Sequence, residues 1–375
     1  MKILHVADTH LGYSAYRKIN ENGINQREED TYDAFKQFVD YAIDSKPDLI
    51  IHAGDLFDSV RPTNRAITFA IQQILRLSRH AIPIVIIAGN HEHPKLKETG
   101  HILSIFNHIE HVYPIYNAKY ETISFKDKIV VHAVPQCSTK EEFSKNLNKI
   151  KIDSSADYNI LTTHGSVKSI KEFSMNEFDE LAIPISFLKS DFDYIALGHY
   201  HKYTKILDNA FYSGSLECFT FADAGEQKGF VEIDLNGKNK HNFIPIKNRP
   251  MIDVRPIKCS DLSIHEIMKK IKETIKEIEP KDKIFRITLE DIPQHIYRSI
   301  DFSSIREVSR GAVHYEIKAK VLKDGELESH ETTKIDSLMS EFTSFLKKQE
   351  IQEKDVLLKM GIDYIKKIET KEEEK

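Results

Sequence analysis

The chain has 375 residues, 40% hydrophobic and 30% charged, enough for a large core and for more than one domain. A net charge of −5 excludes a global basic field, so any polyanion surface is a local patch. Three cysteines without a CxxC pair argue for a reducing compartment and against disulfides or a zinc knuckle. The start, "MKILHVADTH", is too short in apolar residues for a signal segment, and no apolar stretch approaches the roughly 20 residues of a spanning helix. The expected location is therefore intracellular, in cytoplasm or nucleoid, with no membrane partner.

In chain order, the first elements alternate. "ILHVAD" (3–8), "DLIIHAGD" (48–55), "IPIVIIAG" (82–89), "IVVHAVP" (129–135), "YNILTTHG" (158–165) and "DYIALGHYH" (193–201) are short, rich in β-branched residues and bounded by Gly, Pro or Asp. They read as buried strands. Helices are expected over 28–46, where Tyr32, Phe35, Phe38, Val39 and Ala42 recur at helical spacing, and over 62–80, where Pro62 suits a first turn. The alternation predicts a layered α/β core. Beyond residue 203, "NAFYSGSLE" and "KGFVEIDLNGKNKHNFIPI" read as antiparallel strands, with the NG pair as a hairpin signal.

Pro250 and Pro256 punctuate a boundary, so residues 1–250 are expected to form the core. Residues 251–323 read strand, helix, strand, helix, strand, a second small α/β unit carrying 15 Lys and Arg against 12 Asp and Glu. Residues 324–333 read as a polar linker. Two amphipathic helices are expected in 334–375. Ile335, Leu338, Met339, Phe342, Phe345 and Leu346 line one, and Leu357, Met360, Tyr364, Ile365 and Ile368 the other.

The strands share one further property. Their C-terminal ends carry Asp8 and His10, Asp55, Asn90 and His91, His164, and His199 and His201. In an open α/β sheet that edge is where ligands bind. In an extended segment residues i and i+2 face one way, which pairs Asp8 with His10 and His199 with His201. Gly54, Gly89 and Gly198 each precede a polar residue, where a glycine permits positive φ and close approach. Two Asp, one Asn and four His, without thiolate, suit Mn²⁺, Fe²⁺, Zn²⁺ or Mg²⁺. They are too many for one ion with an open position and suffice for two ions, roughly 3.5–4 Å apart, clamping a phosphoryl transfer. His91, beside Asn90, is placed for general acid work on the leaving oxygen.

Other histidines have blander readings. His52 and His132 read as buried and hydrogen-bonded, His93 as a loop surface residue, and His5 has the opposite strand parity to Asp8. Cys218 reads as a small packed residue. The long polar loop from Gly12 to Glu28 makes Tyr13, Tyr16, Arg17, Lys18 and Arg27 candidates for contacts to phosphates and bases.

The ordered blocks "DTH", "GDLFD", "GNHE", "THG" and "GHYH" resemble the calcineurin-like metallophosphoesterase signature. The resemblance implies a β-sandwich flanked by helices. "HVADTHLGY", "QREEDTYDAF", "HAGDLFD", "YSGSLE" and "KGFVEIDL" further resemble the SbcD-type nucleases of DNA double-strand-break repair and their archaeal and eukaryotic relatives, over most of residues 1–245. This implies two divalent ions, expected to be Mn²⁺. Asp8, His10, Asp55 and His201 would hold one. Asp55, Asn90, His164 and His199 would hold the other, with His91 as the acid. It implies 3′→5′ exonuclease and endonuclease activity on DNA ends, a homodimer, a DNA-capping role for 251–323, and docking of 334–375 on an SMC-like coiled-coil ATPase. Two departures stand out. Many members carry His where this chain has Asp58, and the Arg common after "GSxE" is Cys218 here. The competing readings are a small-substrate phosphodiesterase or phosphatase on the same core, and an end-tethering scaffold. The residues beyond the core weigh against the first and the complete ligand set against the second.

Overall fold

The structure, a computed structural model, describes residues 1–125, 129–167, 181–188, 191–236, 240–322, 357–358 and 360–362. The chain divides into two compact units, 1–322 and 323–375. The expected linker 324–333 and the first expected terminal helix lie outside the described residues. Of the second, residues 357–358 and 360–362 are helical, and Tyr364, Ile365 and Ile368 lie outside. No helix among the described residues is long and apolar enough to cross a membrane.

The first part of unit one runs β1 (Lys2–Val6), α1 (Gln26–Ser45), β2 (Leu49–His52), α2 (Asn64–Arg79), β3 (Ile84–Ile87), β4 (Val112–Ile115), β5 (Glu121–Phe125), β6 (Ile129–Val134), α3 (Lys140–Leu147) and β7 (Tyr158–His164). It continues with β8 (Ser166–Val167), β9 (Ala182–Ile183), α4 (Ile185–Leu188), β10 (Tyr194–Gly198), β11 (Thr204–Leu207), β12 (Ala210–Tyr212), β13 (Gly229–Asp234) and β14 (Lys240–Pro245). One six-stranded sheet has the order β14-β13-β1-β2-β3-β4, the other β11-β12-β10-β7-β6-β5. The strands β1 to β4 are mutually parallel, as are β6, β7, β10 and β12. The β13–β14 hairpin is antiparallel as its sequence suggests, with residues 237–239 of its turn outside the described set. The antiparallel reading of "NAFYSGSLE" holds on one edge only. Its strand β12 pairs that way with β11 but runs parallel to β10.

Strand parity explains why these segments are apolar throughout. Ile3, Leu49, Ile51, Val85 and Ile87 face the second sheet and meet Val131, Ile160, Tyr194 and Ala196. Their neighbours Leu4, Val6, Ile50, Ile84 and Ile86 face the other way, onto Phe35, Phe38, Ile74 and Leu77 of α1 and α2. On the far side, Leu161, Ile195 and Leu197 are covered by Phe143 and Leu147 of α3. The central strands β2, β3, β6 and β10 are buried on both faces, in a helix–sheet–sheet–helix sandwich. The helices start where side chains cap them. Asn25 accepts from Arg27 N–H at α1, Thr63 from Ala66 N–H at α2, and Thr139 from Glu142 N–H at α3.

Residues 251–322 form β15 (Met251–Asp253), β16 (Ile257–Lys258), α5 (Ile264–Ile278), β17 (Ile284–Pro293), α6 (Gln294–Arg298), α7 (Phe302–Val308) and β18 (His314–Leu322). β17 is central, with β15 and β16 on one edge and β18 on the other, all parallel. This part has its own apolar cluster around Ile267, Ile271, Ile275, Phe285 and Ile287. It is nonetheless one compact unit with residues 1–250. Met251, Ile284 and Val313 pack on Cys218. Arg249 chelates Asp30 through Nε at 2.7 Å and Nη2 at 2.6 Å, and donates to the Asp282 carbonyl at 2.6 Å. The guanidinium of Arg286 lies 4.5 Å from the centre of the Phe221 ring.

Candidate metal centre

The parallel strands deliver their C-terminal loops to one place. Beyond β1 and β2 the loops run side by side, with Asp8 N–H donating to Gly54 O, His10 N–H to Asp55 O, and Leu11 N–H to Leu56 O, at 2.8–3.0 Å. Asp8, His10, Asp55 and His199 have φ of 53°, 43°, 54° and 113°. Such left-handed conformations cost non-glycine residues of order 1–3 kcal/mol each and gather at functional sites. They also correct the strand argument. Asp8 and His10 come together because the chain turns sharply after β1, not because it stays extended. Likewise only Gly54 of the three glycines has positive φ, 101°. Gly89 and Gly198 answer to space. A Cβ would lie 2.1 Å from Asp55 Oδ1 at the former and 2.0 Å from Ala53 O at the latter.

Among the described residues, ligand atoms converge in three overlapping sets, each within 4.8 Å: Asp8, His10 and His201; His10, Asp55 and His91; Asp8, Asp55 and His164. Asp55 stands in the middle. Its Oδ2 is 3.8 Å from His10 Nε2 on one side and 3.3 Å from His164 Nε2 on the other, and its Oδ1 accepts from His91 N–H at 2.9 Å. Nε2 of His10 and Nε2 of His201 are 3.2 Å apart. Asn90 Oδ1 lies 2.9 Å from His164 Nε2 and 3.3 Å from His199 Nδ1. His199 N–H donates to both oxygens of Asp8.

The electrostatics show what this arrangement demands. Asp8, Asp55, His10 and His164 are buried. Burial pushes the Asp8 carboxyl up to about 7, with His164 pulling against it. Burial opposes the charge on Asp55 too, but the His164, His10 and His91 imidazoles hold it well below the usual carboxylate range. Burial disfavours a proton on His164, yet the charges of Asp55 and Asp8 raise it to about 9. His201 is lowered to about 3 by burial and by His10. Two buried carboxylates faced by imidazole nitrogens and an amide oxygen are a donor set for divalent cations. In their absence a proton on His164 supplies compensating charge. The residues therefore fit two ions.

A model of the calcineurin-like phosphoesterases matches residues 1–203. The chain belongs to that family. Among its relatives is the DNA double-strand break repair protein Mre11 of Sulfolobus acidocaldarius, 30% identical over 335 residues, covering 84% of this chain and 82% of that protein. The protein of the same name from Sulfurisphaera tokodaii is 29% identical over 363 residues, 90% of this chain and 87% of that one. That of Saccharolobus solfataricus is 32% identical over 283 residues, 72% and 68%. This phosphoesterase is thus of the Mre11 and SbcD type, a metal-dependent phosphodiester hydrolase.

Other expected site residues fare differently. His91 lies at the rim, its side chain 40% exposed, with Nδ1 donating to the Asp58 carbonyl at 3.0 Å. The Asp58 carboxylate sits 3.4 Å from His10 Nδ1. Arg27 is withdrawn from any substrate. It is buried, pairs with Asp30 at 2.6 Å, donates to the Cys218 carbonyl and lies 3.6 Å from Glu217. Tyr16 stacks on His314 of β18 at 3.8 Å, and the Tyr13 hydroxyl donates to Phe219 O. Both are engaged in internal packing. Arg17 is exposed. His93, expected on a loop surface, is half-buried and within 3.2 Å of Ser138 Oγ. His5 and His52 are buried and held to about 3 by desolvation. His5 bonds Tyr194 and Leu197, and His52 bonds Thr9. His132 bonds Tyr120 and Asn159. Cys218 is buried, its thiol pushed up to about 12 by burial.

Two supporting residues escape a reading of the sequence. Glu92 is fully buried, and its Oε1 accepts from Gly89 N–H at 3.2 Å and Leu56 N–H at 3.3 Å, tying together the loops that carry Asn90 and Asp55. It is visible in "GNHE", though nothing local says what it holds. Lys228, also buried, donates to His201 O at 2.7 Å and to Asp223 at 2.9 Å.

Proposed function

We propose that this phosphoesterase is a Mn²⁺-dependent DNA nuclease that processes double-strand-break ends, with 3′→5′ exonuclease and endonuclease activity. The observation that carries the reading is Asp55, whose carboxylate lies between two groups of ligands, in a chain whose relatives bear the name of a double-strand-break repair protein. Asp8, His10, Asp55 and His201 would hold one ion, and Asp55, Asn90, His164 and His199 the other. Bound there, two divalent ions supply Lewis acidity at the scissile phosphoryl group and activate the attacking water. The chain does the rest. Its buried loops keep the donors in place. With Nδ1 committed to the Asp58 carbonyl, Nε2 of His91 is the nitrogen that exchanges a proton, and His91 protonates the leaving O3′.

Residues 251–323 would cap the metal edge and supply phosphate contacts. In support, Arg17 and Lys18 share an open groove with Arg306 and Arg310 of the α7 region. Residues 334–375 would dock on an SMC-like coiled-coil ATPase, and the chain would act as a homodimer. The deciding assay is Mn²⁺-dependent cleavage of end-labelled duplex DNA beside hydrolysis of a small chromogenic diester. Turnover of the diester without cleavage of duplex at low salt would leave a small-substrate phosphodiesterase.

A further inference from the structure

Residues 217–223, between β12 and β13, touch the ligand cluster on one side and residues 251–322 on the other. Toward the ligands, the buried Phe219 ring packs edge-to-face on two imidazoles, its centroid 4.8 Å from that of His10 and 5.1 Å from that of His201. These are the two histidines assigned to one ion. The histidines of the other, His164 and His199, pack on each other at 5.4 Å. A ligating imidazole is ordinarily aimed by a hydrogen bond at its second nitrogen. His10 has the Asp58 carboxylate 3.4 Å from Nδ1, and among the described residues no group hydrogen-bonds Nδ1 of His201. The aim of the His201 ring therefore falls to packing on Phe219.

Phe219 is itself locked. Its N–H and that of Thr220 donate to Asp223 Oδ2 at 3.0 and 2.9 Å. Asp223 Oδ1 accepts from Lys228 Nζ at 2.9 Å, and Lys228 Nζ donates to His201 O at 2.7 Å. Ring and backbone thus close a circuit between Phe219 and His201, through two charges that are both buried. Breaking a buried pair is costly, so the circuit resists opening. On the other side, the Phe221 ring lies 4.5 Å from the Arg286 guanidinium, which Asp253 fixes through Nε at 3.0 Å. Cys218 packs on Met251, Ile284 and Val313, and Glu217 accepts from Arg249 N–H at 3.3 Å where the chain enters β15. Residues 218 and 221 face the cap, and residue 219 faces the ligands.

We infer that Phe219 is a positioning residue for the ion held by Asp8, His10, Asp55 and His201, and that Cys218 and Phe221 make the affinity for that ion depend on the seating of residues 251–322. The inference rests on the two-ion reading and deepens it. A shift at Phe221 or Cys218 passes through a close-packed segment to the rings that Phe219 faces, because interiors with few voids transmit strain. The other ion has separate support, since Asn90 Oδ1 lies 2.9 Å from His164 Nε2 and Glu92 holds the loop that carries Asn90. One ion is then a property of the core, and the other is shared between core and cap. By linkage, a duplex that seats the cap tightens the shared ion, and that ion tightens the duplex by the same factor.

The test is Mn²⁺ titration of the chelator-treated full chain, followed by calorimetry and by electron paramagnetic resonance of the bound ions, with no substrate present. The wild type should take up two ions. Phe219→Ala should weaken one of them roughly 10-fold, the low end of what loss of an outer partner costs, and leave the other within about 2-fold. Phe219→Leu keeps most of the apolar volume and should give a smaller loss at the same ion, so the comparison survives if Phe219→Ala does not fold. Arg286→Ala should weaken that ion by roughly 2–5-fold, the worth of one cation–π contact. In a His201→Ala chain, which already lacks a ligand of the shared ion, neither substitution should change the affinity for the ion that remains. Parallel weakening of both ions by the Phe219 variants, wild-type affinities in Arg286→Ala, or an effect that persists in His201→Ala overturns the inference. A wild-type chain that takes up a single ion fails the two-ion reading and the inference with it, an outcome read before any variant is compared.

Discussion

The carboxylate of Asp55, on the loop after β2, and the imidazole of His164, the last residue of β7 in the opposite sheet, stand 3.3 Å apart with both side chains buried. In the metal-free chain they form an ion pair, with His164 raised to about 9 against burial by the charges of Asp55 and Asp8. A His whose folded-state pKa exceeds its unfolded value of about 6.5 stabilises the fold fully below that value and loses the contribution as pH rises through the folded value. Thermal melts in chelator should therefore show Tm falling from about pH 6.5 to about pH 9 through this group. His164→Gln should flatten that part of the curve. Because a ligating imidazole must be deprotonated, metal loading should release protons below about pH 9, measurable in buffers of different ionisation enthalpy. Loading without proton release at pH 7 would contradict the pairing.

Asp55→Ala should empty both metal positions, since its carboxylate lies within reach of His10 and His164 alike. Metal analysis of the purified variant should show loss of both ions. Two ions retained per chain would remove Asp55 from the bridging position.

His91→Gln should keep its metals and lose roughly 10²–10⁴-fold in kcat, the usual contribution of general acid catalysis. Its rim position and its Nδ1 contact to the Asp58 carbonyl separate it from the buried ligands. A fall in metal content would make it a ligand, an outcome the close set of His10, Asp55 and His91 atoms makes worth measuring.

Glu92→Leu should weaken metal binding without touching a ligand. The variant leaves Gly89 N–H and Leu56 N–H without the buried acceptor that now joins their loops. Loss of such an outer partner typically costs 10–100-fold in metal affinity, on the order of what a competition titration resolves. Unchanged affinity would reduce Glu92 to ordinary packing.

Much of the fold and the site is legible in the sequence because the core strands are covered on both faces. Continuous apolar runs such as Ile84–Ile87 mark themselves, and the site residues sit at their C-terminal ends. The hidden features depend on distant partners. Arg27 reads as a loop cation, but Cys218 O and Glu217, some 190 residues away in sequence, bury it. Lys228 and Glu92 are unreadable for the same reason, since a buried charge shows its purpose only with its acceptors or donors in view. Strand parity pairs Asp8 with His10, whereas φ of 53° and 43° brings the pairing about. A one-dimensional pattern cannot show a left-handed turn taken by non-glycine residues.

Arg17, Lys18, Arg306 and Arg310 share one groove, the first two from the loop before α1 and the others from the α7 region. All four are exposed, and one carboxylate, Glu307, lies among them. Under the nuclease reading this groove tracks a phosphate backbone. Each neutralised phosphate of duplex DNA contributes a slope of about −0.9 to the plot of log affinity against log salt. Reversing Arg17, Arg306 and Arg310 to Glu should reduce the magnitude of the slope by about 2–3 if each meets one phosphate. Duplex cleavage should fall with the weaker binding, most sharply at higher salt, where screening removes what attraction remains. A small diester carries no backbone to track, so its hydrolysis reports on the metal centre alone. An unchanged salt slope in the triple variant would remove the groove from the DNA path. Parallel loss of duplex cleavage and diester hydrolysis would mean that the substitutions disturb the fold, through the junction where Tyr16 stacks on His314.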